Sequence, residues 1–166
     1  LSGCSIRQPS NNFNMSDQEI MSILNDACTI IRDKKQRYKI DGKRYRTLAS
    51  SQGYKKRGVA SWYGADFDGK QTACGEEYNM YNFTAAHKTL PLPCYIKVTN
   101  LKNKRSVIIR VNDRGPFIDE RIVDLSYAAA HRLRIIEKGS ELVKIEMVNP
   151  SQTKSNGLFS GPLEAC

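Results

Sequence analysis

Apolar and polar positions change their period along this chain, and each change marks a different element. Ile20, Ile23, Leu24, Ala27 and Ile31 recur at helical spacing, with Ser16 and Glu19 forming a capping box ahead of them. A short amphipathic helix is expected over 17–32, its apolar stripe packed on the body of the protein. Tyr38 to Tyr45 then places Asp41-Gly42 between two short alternating segments, the pattern of a β-hairpin. From Gly58 onward the period falls to two. Ile96 and Val98 alternate with Tyr95 and Lys97. Val107, Ile109 and Val111 alternate with Ile108 and Arg110, and Val143, Ile145 and Met147 with Lys144 and Glu146. Gly64, Gly69, Pro91, Pro93, Asn100, Asn103, Gly115 and Pro116 punctuate these runs as turns. One helix interrupts them, capped by Ser126 and running through Ala128, Ala129 and Ala130 to Leu133. Several short strands around one small helix predict a mainly β protein built on a small closed barrel.

Composition narrows the class. The 166 residues are 40% hydrophobic and 26% charged, which suits one globular domain with arms and excludes a disordered or collagen-like chain. No apolar run reaches the roughly 18 residues of a membrane-crossing helix. The net charge of +9 is unevenly placed: residues 1–57 hold 12 of the 26 Lys+Arg but 5 of the 17 Asp+Glu, so the basicity belongs to the N-terminal third. Arg32, Lys34, Lys35, Arg37, Lys39, Lys43, Arg44 and Arg46 would suit nucleic acid, an anionic lipid surface or an anionic polymer.

The cysteines, Cys4, Cys28, Cys74, Cys94 and Cys166, show none of the paired spacings of a zinc site, so no metal and no cofactor are expected. Leu1-Ser2-Gly3-Cys4 looks like a bacterial lipobox, in which the cysteine becomes the acylated N-terminus. Ser5, where Asp would signal inner-membrane retention, points to an outer-membrane lipoprotein facing the periplasm. Two or three acyl chains, at about 0.8 kcal/mol per buried methylene, make such an anchor permanent. An extracytoplasmic chain has no nucleic acid to meet, so an anionic wall or lipid headgroups become the expected partners of the basic arm.

Three motifs occur in order: Ala60-Ser61-Trp62-Tyr63-Gly64, Gly75-Glu76 leading to Thr84-Ala85-Ala86-His87, and Asn112-Asp113-Arg114-Gly115-Pro116. Together they closely resemble the rare lipoprotein A family, bacterial lipoproteins with a double-psi β-barrel, several of which are peptidoglycan lytic transglycosylases. The resemblance implies a six-stranded double-psi barrel with a short helix, and the periodicity places an N-terminal helix and hairpin arm ahead of it. Together these readings divide the chain into a lipobox and tether (1–13), a helix and hairpin extension (14–57), a catalytic barrel (58–148) and a tail (149–166). Many members carry a peptidoglycan-binding module that this stretch of sequence does not show, so septal recruitment is not carried over. Cys74 and Cys94 depart from the family pattern on either side of one motif, which suggests a disulfide between them.

The chemistry the resemblance implies is economical. A proton must reach the leaving glycosidic oxygen as the bond lengthens. The substrate's own C6 hydroxyl then attacks C1 of N-acetylmuramic acid, leaving a 1,6-anhydro end, so one acid that becomes a base serves both steps, unlike the two-carboxylate scheme of ordinary glycosidases. Asp113, at the end of an apolar strand, is the expected acid. Glu76 and His87 match the family's other functional positions. Glu76 is expected to position the sugar or stabilise charge at C1, and His87 to bond substrate or raise the pKa of Asp113. Trp62 and Tyr63 are candidate sugar-stacking residues, although strand alternation points them to opposite faces, so at most one meets substrate. Arg114 either binds a substrate carboxylate or pairs with Asp124 or Glu120. The expected substrate is the glycan strand of peptidoglycan, stripped of stem peptides, acted on by a monomer. A non-cutting wall-binding lipoprotein of the expansin type is the alternative.

Overall fold

The computed structural model describes residues 37–118 and 120–148. The helix expected over 17–32, the Cys4 anchor, Cys28 and the tail with Cys166 lie outside the described residues. Among the described residues the order is β1 (Arg37–Ile40), β2 (Lys43–Arg46), β3 (Lys55–Trp62), a 3-10 turn (Ala65–Phe67), β4 (Thr84–Ala86), β5 (Cys94–Asn100), β6 (Ser106–Asp113), β7 (Arg121–Leu125), α1 (Tyr127–Arg132) and β8 (Ser140–Met147).

Six strands close into a barrel in the order β3-β7-β4-β6-β5-β8, with β8 returning to pair β3. Two of its pairings are parallel, β3 with β7 and β4 with β6, and the other four are antiparallel. Closure leaves this sheet no open edge. The alternation in β5 explains itself: Cys94, Ile96, Val98 and Asn100 are buried while the residues between them are more exposed. Ile96, Val98, Val107, Ile109, Val111, Leu125, Val143 and Ile145 are fully buried and form one core with Leu90, Leu133 and Ile135. Burying each such side chain contributes about 1.5–3 kcal/mol.

Three strands carry weak signals in the sequence. β3 starts at Lys55, because Lys55-Lys56-Arg57 pairs in register with Glu146-Ile145-Lys144 of β8 while its side chains stay exposed, so the barrel begins three residues before Gly58. β4 is only three residues, all buried, and β7 interrupts its apolar run with Asp124. Gly58 is needed where β3 meets β7, since a Cβ there would lie 2.6 Å from Ile122 Cγ2. The helix is as expected: the Ser126 side chain accepts a hydrogen bond from the Ala129 N–H, and three buried alanines let α1 sit close on the barrel.

The hairpin also forms as expected. Asp41 and Gly42 both take positive φ, 47° and 80°, the conformation of a two-residue type I′ turn. It does not stand apart from the barrel. The Tyr38 hydroxyl donates to the Lys88 carbonyl at 2.7 Å, the Leu48 N–H donates to the Thr89 carbonyl at 2.7 Å, and Tyr38 and Tyr45 stack on each other and close on Phe117.

Candidate functional site

Register brings two carboxylates to one place. Ala86 at the end of β4 lies opposite Asp113 of β6 on one side and Asp124 of β7 on the other. The two Cα atoms are thus two strand spacings apart, about 10 Å. A β-bulge between Ala85 and Ala86 skips Asn112 and delivers Asp113, rather than its neighbour, to that position. Tyr63 joins Asp113: its hydroxyl donates to Asp113 Oδ2 at 3.4 Å, and its pKa is pushed far up by burial first and then by the charges of Asp113 and Asp124.

Asp113 is held firmly. Its Oδ1 accepts from the Ala73 N–H at 2.9 Å and from the Arg114 N–H at 2.8 Å. Burial nevertheless holds its carboxyl above the usual carboxylate range, and these bonds, with the Arg114 charge, offset the rise only in part. Asp124 is raised too, by burial first and by the neighbouring Asp113, against the lowering effect of the Ser61 hydroxyl that donates to its Oδ1. Ser61 accepts in turn from Arg121 Nη1 at 3.2 Å. Burial raises both carboxyls and so favours the protonated state that an acid catalyst needs.

Asp124 was not anticipated as a site residue. The signal was present, since an Asp inside the apolar run Ile122-Val123-Asp124-Leu125 is costly to place unless the fold uses it. What the sequence alone could not supply was the β4 register that sets it across from Asp113.

His87 lies beside the pair but is fully engaged. Its Nδ1 accepts from the Thr89 and Leu90 N–H groups at 3.1 Å each, so Nε2 carries the proton and donates to the Tyr54 hydroxyl at 2.9 Å. Burial, with the charges of Arg114, Lys56 and Lys88, pushes its pKa down to about 3. A neutral imidazole with both nitrogens bonded is a positioning group. Nor is it what raises the Asp113 pKa, which follows from burial. Its backbone helps directly, because the His87 N–H donates to the Asp113 carbonyl at 3.0 Å.

Glu76 takes a different place from the one expected. Its carboxylate accepts from Arg110 Nη2 at 2.9 Å and from Asn112 Nδ2 at 2.6 Å, a largely buried ion pair that ties the loop 71–77 to β6. The same loop presents the Ala73 N–H to Asp113, so Glu76 acts on the site through the loop it fastens. Arg114 is committed as well: its Nη1 donates to the carbonyls of His87 and Leu90 at 3.2 and 2.6 Å, and its guanidinium lies over the Tyr38 ring at 5.6 Å. It clamps the hairpin to the barrel, and neither Asp124 nor Glu120 is the partner these contacts give it.

Of the two aromatic candidates, Tyr63 reaches Asp113 while Trp62 packs edge-on against Tyr127 of α1 at 5.7 Å, as alternation requires. Tyr63 also packs against Tyr78 and against Phe67, which is 49% exposed and could offer a face to a sugar. Cys74 and Cys94 are thiols here, each 1% exposed in the same core cluster, so the expected bridge is not seen. A buried cysteine packs well as a small apolar side chain, and two near one barrel wall do not require a bond.

Fold and site together define the class of protein: a closed six-stranded β-barrel with two half-buried carboxylates on either side of Ala86. The comparisons narrow this. A protein-family model described as lytic transglycolase matches residues 55–145, and the chain belongs to that family, in keeping with the rare lipoprotein A motifs read in its sequence. An endolytic peptidoglycan transglycosylase RlpA of Pseudomonas aeruginosa is 53% identical over 115 residues, covering 69% of this chain and 34% of the relative. One of the same name from Vibrio cholerae is 52% identical over 111 residues, covering 67% of this chain and 42% of the relative. The chain thus spans between a third and a half of the length of these curated relatives. A solved expansin of Clavibacter michiganensis is 16% identical, with a TM-score of 0.47 over 66% of this chain and 54% of that one.

Proposed function

We propose that this protein is an endolytic peptidoglycan lytic transglycosylase that cuts the bond between N-acetylmuramic acid and N-acetylglucosamine. The observation that carries the reading is the carboxylate pair, Asp113 and Asp124, on either side of Ala86, in a chain 52–53% identical to two proteins of that name over 67–69% of its length. The protonated carboxyl, assigned to Asp113, gives its proton to the glycosidic oxygen as the C1–O bond breaks. Asp124, ionised, faces the positive charge that develops at C1. The substrate's C6 hydroxyl then bonds to C1, and its proton returns to Asp113, so the acid is regenerated with no water consumed. Strands without stem peptides are the preferred substrate. Peptidoglycan lies outside the cytoplasm, which agrees with acylation of Cys4 and an outer-membrane location.

Digestion of purified peptidoglycan, intact and peptide-stripped, with products read by mass spectrometry, tests this. Wild type is expected to release 1,6-anhydro-muramyl ends, and Asp113→Asn to release at least about a hundredfold less. Products with reducing ends would mean water is the nucleophile. Retained pelleting with the wall and no product from wild type would favour the expansin-like binding protein.

A further inference from the structure

The basic arm singled out in the sequence is not a detached tether where it can be described. Its hairpin is fixed to the segment that follows β4 by the Tyr38 to Lys88 and Leu48 to Thr89 hydrogen bonds, and to the Gly115–Phe117 loop through Tyr38, Tyr45 and Phe117. Lys43 leaves the turn and lies over the Tyr45 ring at 5.7 Å, on the aromatic stack that seats the hairpin against Lys88. Lys88 sends its ammonium to the Arg121 carbonyl at 3.1 Å, beside the Arg121–Ser61–Asp124 chain. Lys56, exposed on β3, completes the group.

The charges of Lys43 and Lys56 both act on Lys88. The Lys88 ammonium is held below its ordinary range by burial first, then by Lys43 and Lys56, with Asp124 pulling the other way. Lys56 and Lys88 also help to depress His87. Among the described residues none of the three forms an ion pair, although Lys55, Lys138 and Lys144 all do. Lys88, partly buried at the border of the reaction site and repelled by the exposed Lys43 and Lys56, is arranged for an anion that arrives with the substrate. Arg114, the planar fork that sequence reading offered for this task, is already bonded to His87 and Leu90.

We propose that Lys88, Lys43 and Lys56 form a subsite for a carboxylate carried by the glycan next to the scissile bond, and that the β1–β2 hairpin is one wall of the substrate groove. This rests on the transglycosylase reading and deepens it. In a peptide-bearing strand the lactyl group of N-acetylmuramic acid is an amide. Removing the stem peptide leaves a free carboxylate there, so the lysine cluster supplies a physical cause for preferring stripped strands. Compact ammonium groups on flexible stems suit a carboxylate that swings on an ether arm better than a rigid fork would.

The test is a binding comparison on the uncleaving Asp113→Asn protein, using soluble peptide-free glycan oligomers, the same oligomers with their carboxylates converted to methylamides, and peptide-bearing oligomers. Amidation is expected to weaken binding by about tenfold, and the combined Lys43→Gln, Lys56→Gln, Lys88→Gln substitutions to erase that difference. The corresponding arginine variant, which keeps the charge, should retain it and controls for folding. Equal affinity for free and amidated oligomers, or a difference that survives the glutamine substitutions, overturns the proposal. Peptide-bearing strands binding as tightly as stripped ones would assign the carboxylate to the stem peptide and overturn the lactyl assignment. Failure to find anhydro products in digestion would refute the transglycosylase reading while leaving this comparison readable, so the two fail separately.

Discussion

At the scale of single residues, the site turns on which groups are spent on structure and which are left for chemistry. His87, Glu76 and Arg114 all carry chemistry-bearing side chains, yet His87 has both ring nitrogens and Glu76 both carboxylate oxygens on protein partners, and Arg114 spends its Nη1 on two backbone carbonyls. Asp113 and Asp124 are the groups whose protonation the fold has shifted toward acid function. Asp124→Asn is therefore expected to lower turnover on stripped glycan by roughly a hundredfold, with substrate binding changed far less. Single-turnover assays beside equilibrium binding separate the two effects. Full activity in Asp124→Asn would leave Asp113 working alone. Asp113 was legible because it ends an apolar strand inside a motif of recognisable order. Asp124 was not, because its partner is reached through β4, and three buried residues with no alternation give no strand signal.

At the scale of elements, two local devices decide where Asp113 points: the bulge opposite Ala86 and the loop 71–77. The loop is fastened by the Glu76–Arg110 pair, in which Arg110 is 3% exposed and also bonds Tyr95. Breaking one partner of a buried pair leaves an uncompensated charge, so Glu76→Gln should destabilise the fold by about 3 kcal/mol. It should also loosen the Ala73 N–H bond that lowers the Asp113 pKa, moving the alkaline limb of the activity profile to higher pH. A Glu76 that acted directly on the sugar would instead cost activity at unchanged melting temperature and unchanged pH limb. The alternating strands β5, β6 and β8, the Asp-Gly hairpin and the Ser126 cap could be read from sequence because their signals are local. The pairing of Glu76 with Arg110 could not, since it joins a loop to a strand position 34 residues away.

At the scale of the whole molecule, the same buried groups that build the site oppose one another in stability. His87 binds its proton at about 3 in the fold against an ordinary 6.5, so its contribution is fully present above pH 6.5 and is lost as pH falls from there toward 3. The slope in that window is about 1.4 kcal/mol per pH unit. Asp113 and Asp124 have the opposite sign. Their pKa values are raised on folding, so what they contribute is present below the unfolded carboxylate range and is lost as pH rises through their folded values. The fold is thus squeezed from the acid side by a histidine it keeps neutral and from the neutral side by carboxylates it keeps half-buried. Chemical denaturation from pH 8 to pH 4 should show wild type losing stability toward acid. His87→Gln should start lower, because one amide cannot reproduce the bonds the ring makes to the Thr89 and Leu90 N–H groups and to the Tyr54 hydroxyl, yet follow a flatter line between pH 6.5 and pH 4. Asp124→Asn should be more stable than wild type at pH 7, with the gain vanishing below about pH 4. Parallel lines for wild type and His87→Gln would mean that the imidazole takes up its proton in the folded state near its ordinary pH. That would require an opening from His87 to solvent, and it would return this residue from positioning group to candidate proton carrier.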